Sequence, residues 1–535
     1  MFLRKSRLAL LAAALSLCLT ACGFRSVPAA IEKLFAPDAP VSSPPAVPSE
    51  AGGSDGNESL FPGTDRPGSQ IPFSLFWAAD GDRAWQDERL LFESSWEYLY
   101  LSEADAQARP ALANALEAMN LESARIGASW TEELREYASA AGYTNSYMQY
   151  RTVQRVDGSV LSILTTECLG RGNLLDMHAV NLDPATGREL TLADVFLDPD
   201  ALPGVLEQLL KKQYAAAGHP PFDDWRSDLK TILAQGEFDW VVGCQNVTFI
   251  LPSYMDPYYA APLCVPVWFD EYPSLFQEWV LSPPAQHVLK LIPGIPLETD
   301  LDSRDGRRDT ILVVVGTDEY GDCAELAVNV NGVYHSTLPD DEAYACSVPD
   351  LYLVHLADGS HVLYMDASVE NDFHFLSMYR MGTDDMRLSE RFWGFGFYEN
   401  FTDAGEKRTA LFTDPSDFVL ATRLELLGTM WGTGHYRAGP PHGLPQEKDP
   451  YFELVNTNLL TTRLALDAQS LPDESQGILP AGISLTFLRT DCRSYVDMRA
   501  EDGREWRIFV DSSQWPVTVN GIPVDKCFEG MLFTD

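Results

Sequence analysis

The sequence predicts an α+β domain followed by β-rich domains, and three observations support this. Helical periodicity is concentrated before residue 240, in the runs Pro110–Tyr137 and Val205–Tyr214, where apolar residues recur every three or four positions. Short alternating strands separated by turns dominate the remainder. At 535 residues the chain is too long to fold around a single hydrophobic core, so we expect roughly two to four domains.

Changes in composition and periodicity divide the chain into five expected parts. They are residues 1–21 as an export signal, 22–70 as a tether rich in Pro, Ser and Gly, 71–280 as an α+β domain with an antiparallel sheet and packed helices, 285–425 as a β-rich domain, and 426–535 as a small barrel region. The Pro-rich joint at 282–284 separates the third part from the fourth.

The first residues have the pattern of an export signal. Arg4, Lys5 and Arg7 precede an apolar run that is too short to span a membrane. The run ends in Leu-Thr-Ala-Cys, which resembles a bacterial lipobox. The resemblance implies cleavage before Cys22, lipidation of its thiol and anchoring to the cytoplasmic membrane, with the chain facing outside. A plain cleaved signal with a chance cysteine is the alternative.

In the α+β domain, strand-like runs flank the turn-prone Ala79-Asp80-Gly81. A helix is expected from Pro110, which suits a first turn, to a stop at Gly142. The runs MQYRTVQRV and SVLSILTTE then predict a hairpin around Asp157-Gly158. A later short helix should start at the N-cap Ser227 and end at Gly236.

The order TGRELTLADVF, an amphipathic helix, FDWVVGCQNVTFIL and PSYMDPYYAAPLCVPV resembles the RsiV-like extracellular domain family. This family occurs in lysozyme-binding anti-sigma factors and in the non-catalytic part of PdaC-like peptidoglycan deacetylases. The resemblance covers about residues 71–280. Pro252, Pro257 and Tyr258 match the family's Pro/Tyr-rich run, whereas Tyr254 replaces a common acidic residue and Ala261 a glycine.

The resemblance implies binding without chemistry, with a cationic protein such as lysozyme as the ligand. Tyrosines serve well at interfaces, so the candidate ligand contacts are Tyr254, Pro257, Tyr258 and Tyr259. Packing in the domain's own core is the alternative for these side chains. An anti-sigma function is not expected, because neither a transmembrane span nor a cytoplasmic sigma-binding segment is evident.

The charge balance agrees with a cationic partner. Lys and Arg total 38 against 78 acidic residues, for a net charge of −40, and no basic block interrupts this field. Nucleic acid is therefore excluded as an expected partner. A basic extracellular protein or a cell-wall glycan is expected instead, while solubility alone would also explain the charge.

Four aspartates precede an apolar strand in the segment ETDLDSRDGRRDTILVVVG. Asp300, Asp302, Asp305 and Asp309 are oxygen ligands of the kind that calcium prefers. A strict calcium loop reads D-x-D-x-[DN]-G, and here glycine arrives one residue late. The segment has two alternative interpretations, a calcium site and a solvated acidic turn. No other cofactor is expected.

The later strands predict β-rich architecture. Strands at regular spacing after Asp309 predict an all-β domain that resembles propeller-type repeats. Near the C-terminus, Leu479, Gly482 and Leu485 have a spacing that resembles bacterial SH3-like wall-binding modules, which predicts a small SH3-like barrel.

The cysteine spacing suggests possible disulfides but does not identify a function. Three pairs are close enough in sequence to be cross-strand disulfides: Cys244 with Cys264, Cys323 with Cys346, and Cys492 with Cys527. The spacing does not fix their connectivity.

The motifs of serine hydrolases, zinc proteases, P-loop and dinucleotide enzymes are all lacking. This favours a binding protein over an enzyme, with a wall-acting hydrolase that uses unrecognised acidic residues as the alternative. The oligomeric state is not predicted.

Overall fold

In the computed structural model, a seven-stranded sheet begins the described part of the chain. The model describes residues 73–86, 89–141, 145–169, 173–216, 224–256, 261–302, 305, 307–317, 323–337, 348–369, 373–383, 385–397, 399–401, 407–439, 442–455, 459–513 and 515–533. Cys22 and the predicted tether lie outside these residues. The first elements are β1 Leu75–Gln86, β2 Arg89–Leu101, α1 Glu103–Ala108, α2 Pro110–Ala141, β3 Asn145–Val156, β4 Leu161–Leu169 and β5 Asn173–Leu182.

Helix α2 is the long helix that the periodicity predicted. Its apolar stripe packs on the sheet, with Leu112 and Leu116 in one core with Leu99 and Ile163. The helix connects β2 to β3, which are parallel, while the other neighbouring pairs of these five strands are antiparallel. A crossover helix is the usual way to join parallel neighbours. The predicted α+β architecture is confirmed.

The predicted turn at residues 79–81 is wrong. Strand β1 runs through it, and Gly81 lies opposite Ser95 in an unbroken ladder. A Cβ at Gly81 would lie 2.1 Å from the carbonyl oxygen of Ser94. Glycine here therefore permits close approach of two strands instead of a chain reversal.

Helices and a three-stranded sheet form the next core. The elements are α3 Leu192–Val195, α4 Leu202–Ala216, α5 Trp225–Gln235, β6 Asp239–Val242, β7 Asn246–Leu251 and β8 Leu263–Trp268, with 3-10 turns at Pro199–Ala201, Ser253–Met255 and Pro273–Leu275. Leu206, Leu210 and Tyr214 of α4 pack on the sheet. Helix α5 ends at Gly236 as predicted, but it begins two residues before Ser227, with Trp225 buried.

The β-rich part begins with two sheets. Its strands are β9 His287–Leu291, β10 Leu297–Thr299, β11 Asp309–Thr317, β12 Cys323–Val330, β13 Val333–Ser336, β14 Asp350–His355, β15 His361–Val369, β16 Phe373–Met381 and β17 Met386–Trp393. Strands β10 to β13 form an outer sheet, and β17-β16-β15-β14-β9 form a central sheet.

Most of the remaining elements belong to a C-terminal sheet. They are β18 Phe395–Phe397, β19 Glu399–Phe401, β20 Lys407–Ala410, β21 Phe418–Glu425, β22 Thr429–Gly439, β23 Leu444–Glu447, β24 Phe452–Val455, β25 Leu460–Thr462, β26 Leu466–Ser470, β27 Gln476–Leu479, β28 Ser484–Thr490, β29 Tyr495–Ala500, β30 Glu505–Phe509, β31 Thr518–Val519, β32 Ile522–Pro523, α6 Val524–Cys527 and β33 Phe528–Glu529. Strands β19 and β20 leave this order and extend the first sheet beside β1, while β31 and β32 pair with each other.

The central sheet is covered on both faces. Leu351 and Leu353 of β14 face a core shared with the outer sheet, while Tyr352 and Val354 face a core shared with the C-terminal sheet. Continuous burial explains why this strand reads as an unbroken apolar run. The β-rich prediction is confirmed, but within the described strands no sheet closes into a barrel, so the predicted SH3-like barrel is wrong in that respect.

The predicted limits near residues 280 and 425 both lie inside one compact unit. Gly63–Asp535 form one compact unit. Strand β20 pairs with β1 through Phe76 and Ala410, so a segment from the expected second domain completes the sheet of the first.

Two of the expected disulfides are absent. Cys244, Cys264, Cys492 and Cys527 are free thiols, and Cys346 lies outside the described residues. Cys244 and Cys264 occupy different surroundings, since Cys244 lies near the carbonyl oxygen of Gln154 and Cys264 near the sulfur of Met177.

Among the described helices, none is both long and apolar enough to cross a membrane.

Candidate functional site

Tyr254 is an exposed aromatic side chain on an anchored backbone. It lies in the 3-10 turn that follows β7, and 42% of its surface is exposed. The next residue, Met255, is fully buried, and its carbonyl oxygen accepts a hydrogen bond of 2.7 Å from the Tyr214 hydroxyl. The buried neighbour thus fixes the turn while the tyrosine ring stays accessible.

Two carboxylates lie close enough to Tyr254 to affect its ionisation. Burial raises the pKa of Tyr254, and the negative charges of Glu237 and Asp228 raise it further. Asp228 belongs to α5, and Glu237 follows that helix directly. An aromatic ring beside two carboxylates is a setting that attracts a cationic group.

The register of β6 and β7 places one more carboxylate, that of Asp239, near the end of β7. Asp239 lies opposite Ile250, so the start of β6 is next to the end of β7, just before Tyr254. Asp239 also accepts a hydrogen bond from His178 of β5, with a distance of 3.2 Å between Nδ1 and Oδ2. The other ring nitrogen of His178 lies 3.5 Å from Asp176 Oδ2.

His178 is therefore held between two carboxylates. The hydrogen bond to Asp239 raises its pKa to about 9, and the charges of Asp176 and Asp239 add to the effect against the opposing burial. The imidazole is thus protonated near neutral pH and offsets one of the negative charges. We call the surface formed by Asp176, His178, Asp228, Glu237, Asp239 and Tyr254 the acidic end.

Beside the acidic end lies a buried carboxyl group. Glu167 is 6% exposed, and its Oε1 accepts a hydrogen bond of 3.3 Å from Gln149 Nε2. Burial raises the pKa of Glu167. It lies opposite the exposed Asp176 in the β4–β5 register, so the two carboxyl groups have different surroundings on one sheet face.

The acidic end suits a basic ligand. Glu237 and Asp228 act on the accessible ring of Tyr254, and Asp239, two residues after Glu237, pairs with His178 together with Asp176. Four carboxylates against one imidazolium leave the local charge negative. Cationic side chains can pair with the carboxylates and stack on Tyr254 without bond-making chemistry.

The sequence identified Tyr254 as a candidate contact, and the structure places it on the surface. The other candidates, Pro257, Tyr258 and Tyr259, lie outside the described residues. The sequence reasoning missed His178 and its two carboxylate partners. Asp176 lies two residues before His178 on β5, but Asp239 reaches it from a strand 61 residues away, so the group forms only in the fold. The acidic composition was the one available signal.

The aspartates of the predicted calcium loop interact mainly with the protein's own groups. Asp300 pairs with Arg308 at 2.8 Å, and Asp305 accepts the backbone N–H of Arg307. Asp309 is buried, where it accepts from the Leu301 N–H and from the amide of Asn331.

In the part of the chain that the structure describes, which includes all four of Asp300, Asp302, Asp305 and Asp309, no group of three His, Cys, Asp or Glu side chains is arranged to hold a metal ion. Calcium binding at this loop stays a prediction.

Comparison with known proteins does not assign this chain to a family. No family model matches it, and no curated protein matches it. A solved structure of a DUF3298 family member from Bacteroides fragilis is 12% identical with a TM-score of 0.28, covering 39% of this chain and 96% of that one. A DUF3298 family protein from Pseudomonas aeruginosa is 16% identical with a TM-score of 0.25 and the same coverage. We base no function on these similarities.

Proposed function

We propose that the protein is a lipid-anchored, extracytoplasmic binding protein of the bacterial cell envelope, and that its acidic end binds a basic extracellular protein such as lysozyme. Cys22 would carry the lipid, and residues 22–70 would hold the binding region away from the membrane. The protein would act by binding and would catalyse no reaction.

The observation that carries this proposal is the position of Tyr254 at the acidic end. Tyrosine is enriched among residues that dominate binding energy, and a ring flanked by Glu237 and Asp228 is matched to a lysine or arginine side chain. The net charge of −40 would steer a basic protein toward this surface from a distance.

Binding to immobilised lysozyme tests the proposal. Residues 63–535, which form the compact unit, should bind at about 20 mM salt and lose most of their affinity at about 0.5 M, because salt screens exposed charges. Tyr254→Ala should weaken binding by about tenfold or more, as expected of a central aromatic contact. The double variant Asp228→Asn/Glu237→Gln should slow association and reduce the salt dependence.

A matched variant separates local recognition from total charge. Asp467→Asn/Glu501→Gln removes the same charge from exposed positions of the C-terminal sheet. It should retain nearly wild-type association. Equal losses in both double variants would mean that net charge alone attracts lysozyme, and no binding at low salt would overturn the lysozyme proposal. Retention on purified wall glycan instead would favour a glycan ligand.

A second candidate function, hydrolysis of the cell wall, is favoured by one observation. Glu167, with its raised pKa, faces the exposed Asp176 across β4 and β5, and paired carboxyl groups in unlike surroundings are the machinery of glycoside hydrolysis. Release of soluble sugar from peptidoglycan by the wild type, abolished by Glu167→Gln, would support hydrolysis over binding alone.

A further inference from the structure

Three histidines stand side by side on neighbouring strands of the central sheet. His355 of β14 lies opposite His287 of β9 and opposite His361 of β15. Cross-strand partners point to the same face of a sheet, so the three imidazoles form one row. The ring centroids are 4.8 Å apart between His287 and His355 and 4.6 Å apart between His355 and His361. We call this group the histidine row.

The histidine row contains an internal hydrogen bond that depends on protonation. His355 Nδ1 and His361 Nε2 are 2.8 Å apart. One of these nitrogens must donate and the other accept, so the bond cannot form when both carry protons. His361 is 3% exposed, and the Nδ1 atom of His287 is buried without a hydrogen-bond partner among the described residues.

The charged groups around the row do little to favour protonated rings. Arg155 of β3 acts on His287, where its positive charge adds to burial and to the other two histidines in lowering the pKa. Asp358, in the turn between β14 and β15, is the acidic group that acts on His355 and His361.

The effect of Asp358 is too small to reverse that of burial. Burial lowers the pKa of His355, and burial together with His355 lowers the pKa of His361 to about 3, although the Leu301 carbonyl opposes this.

We propose that the histidine row is an acid-sensitive latch that joins three neighbouring strands of the central sheet. At neutral pH the uncharged rings pack together beside the buried Arg155. Protonation places up to three positive charges side by side, the one on His287 also near Arg155, and breaks the bond between His355 and His361, so the row opens in acid.

The direction of the pH effect follows from linkage. A histidine whose folded pKa lies below its unfolded value of about 6.5 stabilises the fold above that pH, and the stability is lost as the pH falls. Three such groups let the unfolded chain bind about three more protons than the folded chain. The unfolding equilibrium constant should then rise by up to about a thousandfold per pH unit below about pH 6.

Urea unfolding of residues 63–535 between about pH 7.5 and pH 5 tests the latch. The variant His355→Phe/His361→Phe keeps planar rings but removes two titrating groups. Its unfolding equilibrium constant should therefore rise about a hundredfold less per pH unit than that of the wild type. His435→Gln is the control, since His435 is half-exposed and pairs with Asp417 outside the row. It should keep the steep dependence of the wild type on pH. Equal slopes in wild type and double variant would overturn the proposal.

A second measurement needs no variant that disrupts packing. Deuterium exchange at the imidazole C2 position, followed by mass spectrometry of peptides from the wild type, reports the titration of each histidine. The three row histidines should titrate below the ordinary value of about 6.5. Titration of all three near that value would show that the rings accept protons in the folded chain, and the latch would be rejected.

Discussion

Arg155 and Asp157 form a buried ion pair at the start of the hairpin between β3 and β4. Each side chain is 1% exposed, and the distance from Arg155 Nε to Asp157 Oδ2 is 2.7 Å. The guanidinium also donates to the carbonyl oxygens of Trp279 and Val280, while Asp157 accepts the N–H of Ser159. The pair therefore fastens the hairpin to the segment that leads into the β-rich part.

Removing one member of this pair should destabilise the protein strongly. Asp157→Ala leaves the buried guanidinium without its counter-ion, which typically costs about 3–5 kcal/mol. The free energy of unfolding from urea titration measures the loss. Asp502→Asn, which removes an exposed carboxylate that pairs with Arg504, should leave the midpoint nearly unchanged. If the two variants behave alike, the buried pair does not hold the hairpin.

Single residues were predictable where their role is local. The Asp157-Gly158 turn was expected from its dipeptide and is confirmed, because short-range hydrogen bonds of the aspartate shape that turn. The Arg155 partners at residues 279–282 were not predictable, since more than 120 residues separate them from Arg155.

At the scale of elements, helix α2 packs against β2 through a glycine. A Cβ at Gly127 would lie 2.2 Å from the Trp96 ring, so the helix can approach the strand only if this position has no side chain. Gly204 in α4 provides a contrast, because a Cβ there would meet nothing within 4 Å.

The same substitution should therefore have opposite effects in the two helices. Gly204→Ala should stabilise the protein by up to about 1 kcal/mol, because alanine reduces the freedom of the unfolded chain and favours a helix. Gly127→Ala should destabilise by about 1–3 kcal/mol despite the same helical preference, because the methyl group overpacks the contact with Trp96. Thermal unfolding of both variants measures the signs. A higher melting temperature for Gly127→Ala would contradict the close approach.

The helices show where sequence periodicity succeeds and where it falls short. The apolar stripe predicted α2 from Pro110 almost to its end, because a 3.6-residue period is a local property. The start of α5 was placed at Ser227 from its capping preference. The helix instead begins at Trp225, which stacks edge-on against Tyr214 of α4 in the core. Tertiary burial of the tryptophan outweighs the local cap.

At the scale of the whole molecule, the first sheet depends on residues that follow it by about three hundred positions. Trp77 of β1 pairs with Thr409 of β20, and the Lys290 ammonium lies 4.6 Å above the Trp77 ring. Lys290 also lies 3.6 Å from the buried Glu97 and 3.0 Å from Asp350. The expected domain of residues 71–280 lacks Lys290 and β20.

The isolated fragment 71–280 should consequently lose order in its first sheet. Without Lys290 the buried Glu97 loses its ion-pair partner, and without β20 an edge of β1 is unpaired. Amide hydrogen exchange should be faster in β1 of the fragment than in residues 63–535. The buried residues of the core of α4, α5 and β6–β8 lie between residues 160 and 280, within the fragment, so this core serves as an internal control that should remain protected. Equal protection of β1 in both chains would show that the fragment is an independent domain.

The sequence alone determined the class of the molecule, its acidic charge, the long helix and most strands, because these follow from composition and from periods of two and 3.6 residues. It also singled out Tyr254 as a candidate contact. Tertiary structure alone decided what surrounds that tyrosine, how β20 completes the first sheet, and that three histidines form a row. These features arise when distant segments approach one another, and spacing along the chain carries no record of that approach.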